Sequence, residues 1–246
     1  MSRRVAIITD TEMHLGPDLA LAMARREHDL VIGNPRPGLV PEIEALGARV
    51  IVHEEVAELA QSNSLAPLID DALTQFGRLD AACIRTGTIL SGELLSATMQ
   101  DFDTLTRANM GSVFSVLQQL LPPMIEARSG QVVIVTSATG ARPSPAAALY
   151  SSTRAGANMM VRNAAMSVAE YGVTVNALGT NFLEYPGFMN ASGAGDPARR
   201  ARIEAGVPLR RLGQPQEVAH FCASLLDGEN RFQTGQFFSL SGGWSE

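Results

Sequence analysis

Three side chains suited to proton transfer occur at fixed spacing in the middle of the chain. Tyr150 is followed four residues later by Arg154 and preceded thirteen residues earlier by Ser137. Residues at positions i and i+4 of a helix share one face, so the spacing predicts that Arg154 lies beside the Tyr150 phenol. A guanidinium stays charged and favours phenolate over phenol, while a serine hydroxyl can donate a hydrogen bond to a substrate oxygen. The pattern predicts an acid–base centre.

The elements that carry these residues follow a regular alternation. Ser137 ends the apolar run at 131–137, which is typical of a buried strand, and Tyr150 begins the longest predicted helix, which extends to about residue 170. Strand and helix patterns alternate along the whole chain, which predicts an α/β, Rossmann-like, doubly wound parallel sheet. The length predicts one domain over residues 1–246, with a substrate loop containing short helices over 179–205.

Composition excludes several classes of protein. The net charge of −6 gives no basic patch for nucleic acid, and no apolar run is long enough to span a membrane. Cys83 and Cys222 lie far apart in apolar stretches, and no Cys/His cluster has metal-ligand spacing. The composition therefore predicts a cytoplasmic protein that binds no metal, nucleic acid or membrane.

The whole chain resembles the short-chain dehydrogenases/reductases in the order of its parts. The shared features are TSA at a strand end, a following Tyr-x3-base helix, Asn109 in the preceding helical region, RRLGQPQEVA and a closing GQFFSLSGG. The resemblance implies a sheet of about seven strands and pairing of subunits through their long helices. Asn109 is expected to bridge backbone groups.

The segment that would bind a nucleotide departs from that family. A dinucleotide site needs glycines between the first strand and helix, because the backbone must approach a diphosphate closely. Asp10 and His14 stand where two of these glycines would fall, and only Gly16 remains. Arg85 lies in the Ile-Arg-Thr-Gly segment that replaces the family's Asn-Asn-Ala-Gly, and Arg154 replaces the expected lysine. Together these changes argue against dinucleotide binding.

A reductase-like chain without the glycine loop, but with Ser-x12-Tyr-x3-Arg, resembles the halohydrin dehalogenases. Their N-terminal motif, Thr-x4-(Phe/Tyr)-x-Gly, matches at Thr9 and Gly16 but has His14 in place of the aromatic residue. The resemblance implies a cofactor-independent carbon–halogen lyase that converts vicinal haloalcohols to epoxides and halide, and opens epoxides with small anions in reverse. It implies a Ser137, Tyr150 and Arg154 triad and a homotetramer built as a dimer of dimers.

This interpretation also predicts a site for the halide and the substrate. Backbone N–H groups in the turn at 181–183 are expected to cradle the anion, and a protonated His14 would attract it. The predicted halide- and substrate-binding residues are Thr9, His14, Thr180, Asn181, Phe182, Leu183 and Phe188.

Two other functions remain open from the residues. One is an NADP-dependent short-chain reductase with a degenerate glycine loop, in which Arg154 replaces lysine and Arg36 meets the 2′-phosphate. The other is a non-catalytic, reductase-like binding protein. Halide release without added nucleotide would favour the lyase, whereas NADPH binding would favour the reductase.

Overall fold

The fold is built on one parallel sheet, described here from a computed structural model for residues 3–245. Its seven strands, β1–β7 in chain order, are Arg4–Ile8, His28–Gly33, Val50–His53, Ala81–Arg85, Gly130–Ser137, Val173–Thr180 and Phe237–Leu240. They are hydrogen-bonded in the order β3-β2-β1-β4-β5-β6-β7, with every neighbouring pair parallel. The predicted doubly wound sheet of about seven strands is confirmed.

Helices cover both faces of this sheet. Helices α1–α9 are Gly16–Arg25, Leu39–Glu44, Ala66–Phe76, Met99–Thr106, Ser112–Glu126, Ala148–Val168, Pro186–Ser192, Pro197–Ala205 and Pro215–Ser224. Two separate clusters of buried apolar side chains lie on the two sides of the sheet. Strands that are buried on both faces read as continuous apolar runs, which is why the run before Ser137 was recognisable in the sequence. No helix among residues 3–245 is both long enough and apolar enough to cross a membrane.

Several element boundaries differ from the sequence prediction in ways that bear on the site. Helix α6 begins at Ala148 rather than at Tyr150, which places the tyrosine in the first helical turn. Strand β6 extends through Thr180, so this residue ends a strand instead of opening a loop. The predicted short helices in the 179–205 segment are present as α7 and α8.

A short π-helical segment, Arg107–Gly111, joins α4 to α5 and positions Asn109. The Asn109 side chain is fully buried; its Oδ1 accepts from the Thr88 backbone N–H at 2.9 Å, and its Nδ2 donates to the Thr153 hydroxyl at 2.9 Å. Asn109 therefore fixes the loop after β4 against α6, so its expected bridging role is found between two elements rather than within a helix.

Candidate active site

A cavity of about 270 Å³, here called the tyrosine cavity, opens at the carboxyl ends of β4, β5 and β6. Parallel α/β sheets bind ligands at this edge, where the strand order reverses. Of the ten residues predicted from the sequence as catalytic or as halide- and substrate-binding, nine line it: His14, Ser137, Tyr150, Arg154, Thr180, Asn181, Phe182, Leu183 and Phe188.

Thr9 is the predicted site residue that lies elsewhere. It lines a neighbouring cavity of about 290 Å³, here called the Thr9 cavity, which also contains Asn34 and the segment from Val56 to Ala60. The Thr9 hydroxyl accepts a hydrogen bond from the Arg85 backbone N–H at 3.3 Å. Thr9 therefore faces the Thr9 cavity and not the tyrosine cavity.

Ser137 presents its hydroxyl at the end of β5. The side chain is buried, and its Oγ lies 2.7 Å from the Thr139 hydroxyl and accepts from the Thr139 backbone N–H at 3.2 Å. These contacts hold the serine oxygen in one orientation at the cavity wall. Its ability to donate to a substrate is preserved when the Thr139 hydroxyl donates to it.

Tyr150 and Arg154 lie together on the face of α6 that borders the cavity, as the four-residue spacing predicts. The guanidinium carbon of Arg154 is 5.2 Å from the centroid of the Tyr150 ring. Arg154 is only 3% exposed, and it donates to the Thr86 carbonyl at 2.7 Å and to the Thr86 hydroxyl at 3.2 Å. Burial lowers the pKa of Arg154, and the neighbouring Tyr150 opposes that shift.

The Tyr150 phenol lies next to positive charge. Arg154 lies beside the ring, and Tyr150 occupies the first turn of a 21-residue helix, where the helix dipole is positive. No carboxylate among residues 3–245 lines the tyrosine cavity to offset these charges. The arrangement therefore suits a group that gives up a proton and takes it back.

His14 closes the cavity from the loop between β1 and α1. Its ring is buried, its Nε2 lies 3.1 Å from the Thr180 hydroxyl, and it packs edge-on against Tyr185 with ring centroids 5.0 Å apart. Burial, reinforced by the charge of Arg85, lowers the pKa of His14 to about 3. At neutral pH the His14 ring therefore carries no charge with which to attract an anion.

Two buried polar atoms at the cavity lack a partner in the structure. They are His14 Nδ1 and Arg154 Nε, and both residues line the tyrosine cavity. Buried polar groups are normally hydrogen-bonded, so unpartnered atoms at a cavity wall indicate that a ligand or water completes the site.

In the turn at 181–183, where an amide cradle is predicted, one of the three amides is already bonded within the turn. The Phe182 backbone N–H donates to the Asn181 side-chain oxygen at 3.0 Å and is therefore already satisfied. Phe182 itself has a positive φ of 53°, and its ring packs edge-on against Phe188 and Trp244. The turn therefore supplies an aromatic wall, and its Phe182 amide is not available to a ligand.

Sequence reasoning missed an ion pair at the junction of the two cavities. Arg85 Nη1 contacts the Asp10 carboxylate, and Arg85 lines both cavities. Thr86 and Thr139, which bind Arg154 and Ser137, were also missed. A charged residue directly after a buried strand was a usable signal for Arg85, but its partner could be identified only from the fold. No cluster of three or more metal-ligating side chains occurs among residues 3–245.

The neutral state of His14 leads to a prediction about acid stability. Unfolded histidine takes up a proton near pH 6.5, whereas native His14 does so only near its pKa of about 3. The unfolded state therefore binds the extra proton below pH 6.5, and stability falls as the pH decreases through that range. When the pH falls from 7.5 to 5, the free energy of unfolding should decrease in both proteins. The decrease should be about 2 kcal/mol smaller in His14→Gln than in the wild type.

Urea unfolding at the two pH values measures this difference. His220→Gln is the control, because it makes the same change at an exposed histidine of α9, outside the tyrosine cavity. A His14 ring that titrates between pH 5 and 8 by NMR would contradict the prediction.

Comparison with known proteins defines the class to which this arrangement belongs. The sequence profile of a family described as enoyl-(acyl carrier protein) reductase matches residues 12–245. The chain therefore belongs to this family of short-chain dehydrogenases/reductases.

Individual relatives agree with that assignment over nearly the whole chain. The 3-oxoacyl-[acyl-carrier-protein] reductase FabG of Staphylococcus epidermidis is 27% identical over 243 residues, covering 97% of each chain. The 3-oxoacyl-[acyl-carrier-protein] reductase of Synechocystis is 29% identical, covering 99% of this chain and 97% of its own. ElxO with NADP bound superposes with a TM-score of 0.87 at 22% identity, covering 98% of both chains, which shows a shared fold.

These relatives overturn the function predicted from the sequence. The matched proteins are named as reductases, which are oxidoreductases and not carbon–halogen lyases. The prediction of a cofactor-independent halohydrin dehalogenase, with a haloalcohol or epoxide as substrate and a halide as product, is therefore wrong. The NADP-dependent reductase that the residues left open as an alternative agrees better with the relatives.

Proposed function

We propose that the chain is an NADP-dependent oxidoreductase that interconverts a carbonyl and a hydroxyl group. The observation that carries this proposal is the buried Tyr150–Arg154 pair on the wall of the tyrosine cavity, in a chain matched to reductases from end to end. The 3-oxoacyl thioesters named in those relatives are the proposed class of substrate. Ser137, Tyr150 and Arg154 are the proposed catalytic residues.

The residues at the sheet edge fit a dinucleotide in overall shape. Two cavities adjoin at Arg85 and Gly87, so a molecule with two lobes can occupy both. Gly16 is needed for packing within the β1–α1 loop, since a Cβ atom there would lie 1.8 Å from the Asp10 carbonyl oxygen. The unpartnered His14 Nδ1 and Arg154 Nε offer polar contacts on the tyrosine side.

The end of β2 is compatible with a phosphorylated ribose. Asn34 lines the Thr9 cavity, and no acidic residue occurs in the Gly33-Asn34-Pro35-Arg36 segment to hold a ribose diol. The Arg36 guanidinium is partly exposed and paired with Glu42 at 2.8 Å. This surface ion pair is weak enough for a 2′-phosphate to replace Glu42.

The proposed mechanism assigns one task to each residue of the triad. NADPH, held across the two cavities, would supply the hydride that reduces the carbonyl carbon. Ser137 donates a hydrogen bond that orients the carbonyl oxygen, and Tyr150 transfers its phenolic proton to that oxygen as it becomes a hydroxyl. Arg154 stabilises the phenolate that remains, and the same residues act in reverse order during oxidation.

The proposal extends to assembly as a homotetramer, because large apolar side chains on α5 and α6 are exposed to solvent in the single chain. Phe114, Met159 and Met166 are at least half exposed on these helices. Gly156, by contrast, serves packing within the chain, since a Cβ atom there would lie 2.9 Å from the Met110 side chain. Apolar patches of this kind are typical of subunit contacts.

Turnover of a 3-oxoacyl thioester tests the proposed reaction. Purified protein should consume NADPH in the presence of acetoacetyl-coenzyme A and form the 3-hydroxy product, while acetyl-coenzyme A, which lacks the ketone, should give no consumption. Quenching of Trp244 by NADPH without turnover of any carbonyl substrate would favour the non-catalytic binding protein. Absence of both quenching and turnover would contradict the proposal.

A further inference from the structure

Arg85 occupies the wall between the two cavities. It is the last residue of β4, and its side chain lines both the Thr9 cavity and the tyrosine cavity. The side chain is 37% exposed, so its guanidinium remains accessible from solvent. A ligand that spans the two cavities must pass this residue.

Arg85 has one ion-pair partner among residues 3–245. Its Nη1 contacts the carboxylate of Asp10, whose side chain is 15% exposed, in the loop between β1 and α1. Asp10 Oδ1 also accepts from the Glu12 backbone N–H at 3.2 Å, which keeps the carboxylate at the start of that loop. The ion pair therefore lies at the place where the glycines of a dinucleotide-binding loop would otherwise allow a diphosphate to approach.

The groups around Arg85 favour an anionic ligand over a second cation. His14 is neutral at physiological pH, and Arg154 adds a buried positive charge on the tyrosine side. Apart from Asp10, the carboxylate nearest to this path among the residues lining either cavity is Glu58, which is paired with Arg107 at 3.1 Å. Once Asp10 is displaced, the junction carries net positive charge.

We propose that Arg85 binds the diphosphate of NADP and that Asp10 holds this arginine in the absence of nucleotide. This inference rests on the proposed function. The Arg85 cation takes the place of the missing glycines as the group that binds the diphosphate. A guanidinium binds phosphate oxygens in bidentate fashion, and a diphosphate offers more charge and more acceptors than one carboxylate. Arg85 therefore exchanges Asp10 for the nucleotide, and Asp10 competes with binding.

Equilibrium binding of NADPH to single variants tests this exchange. Arg85→Gln should weaken NADPH binding by about 10- to 100-fold, because a charge-assisted hydrogen-bonded contact is lost. Asp10→Asn should tighten binding, since it removes the competing carboxylate while keeping the size of the side chain. Arg128→Gln is the matched control. Arg128 is exposed, lies over the Tyr171 ring and lines neither cavity.

The readout is independent of turnover. Trp244 is the sole tryptophan of the chain and packs edge-on against Phe182, which lines the tyrosine cavity, so its fluorescence should respond to occupation of that cavity. Calorimetric titration with adenosine 2′-monophosphate, which lacks the diphosphate, should give the same affinity for the wild type and Arg85→Gln. Circular dichroism of each variant establishes that it is folded.

The outcomes separate this inference from the proposed function. Equal NADPH affinity of the wild type and a folded Arg85→Gln variant would overturn the role of Arg85 and leave the reductase proposal standing. Failure of both the wild type and Asp10→Asn to bind NADPH would overturn the reductase proposal itself. If Arg85→Gln weakened the binding of adenosine 2′-monophosphate as much as the binding of NADPH, that result would also contradict a contact between Arg85 and the diphosphate.

Discussion

Replacing Tyr150 with phenylalanine is expected to lower kcat for carbonyl reduction by about 10²- to 10⁴-fold, the usual contribution of a positioned acid or base. The phenol is the one hydroxyl beside Arg154 that we assign to proton transfer, and phenylalanine keeps the ring that packs against the guanidinium. Binding of NADPH should remain close to that of the wild type, because the substitution removes only the proton donor. Steady-state kinetics and Trp244 quenching measure the two quantities separately.

Tyr171→Phe is the matched control for Tyr150→Phe. Tyr171 lies in the turn after the same helix, beside Arg128, and outside the lining of the tyrosine cavity. It should leave kcat unchanged within about twofold, as expected for a conservative change away from the site. A Tyr150→Phe variant that retains the wild-type kcat would remove Tyr150 from the chemistry.

Replacing Arg154 with methionine is expected to separate activity from stability. Loss of the cation beside Tyr150 should lower kcat/KM by about 10²-fold, comparable to removing one electrostatic contact to a developing charge. The free energy of unfolding should stay within about 1 kcal/mol of the wild type, because two opposing effects nearly offset. The Thr86 carbonyl loses its donor, while a buried cation with no carboxylate partner among residues 3–245 is removed.

Two further variants complete this test. Arg154→Lys restores the charge with a shorter donor and should recover part of the lost kcat/KM. Arg162→Met makes the same change at an exposed position of the same helix and should alter neither quantity. A fall in unfolding free energy large enough to account for the loss of activity in Arg154→Met would show that the arginine serves the fold rather than the reaction.

Much of the fold could be predicted because its signals are local. The apolar run of β5 and the four-residue spacing of Tyr150 and Arg154 depend on neighbours in the chain, and both are found as expected. The predicted start of α6 at Tyr150 was two residues too late, and no side chain caps the helix at its actual start, Ala148. Without a capping residue, the sequence offers no marker for the first turn.

The function was harder to predict because the deciding contacts join distant residues. Asp10 and Arg85 are far apart in sequence, and only the pairing of β1 with β4 brings them together. A carboxylate in place of a glycine indicated loss of the nucleotide site, but the sequence did not show that an arginine neutralises it. His14 is a second case, because it is buried against Thr180 and Tyr185, which are distant from it in the sequence.

The order of strands in the sheet also affects how a newly made chain acquires its shape. β1 is an interior strand of the sheet, between β2 and β4, and β4 begins only at Ala81. Until that segment leaves the ribosome, one edge of an apolar strand has no partner and can pair with another molecule. Parallel pairings between distant segments also form slowly. The strand order that places Asp10 beside Arg85 therefore also leaves β1 of the nascent chain open to aggregation until β4 has been synthesised.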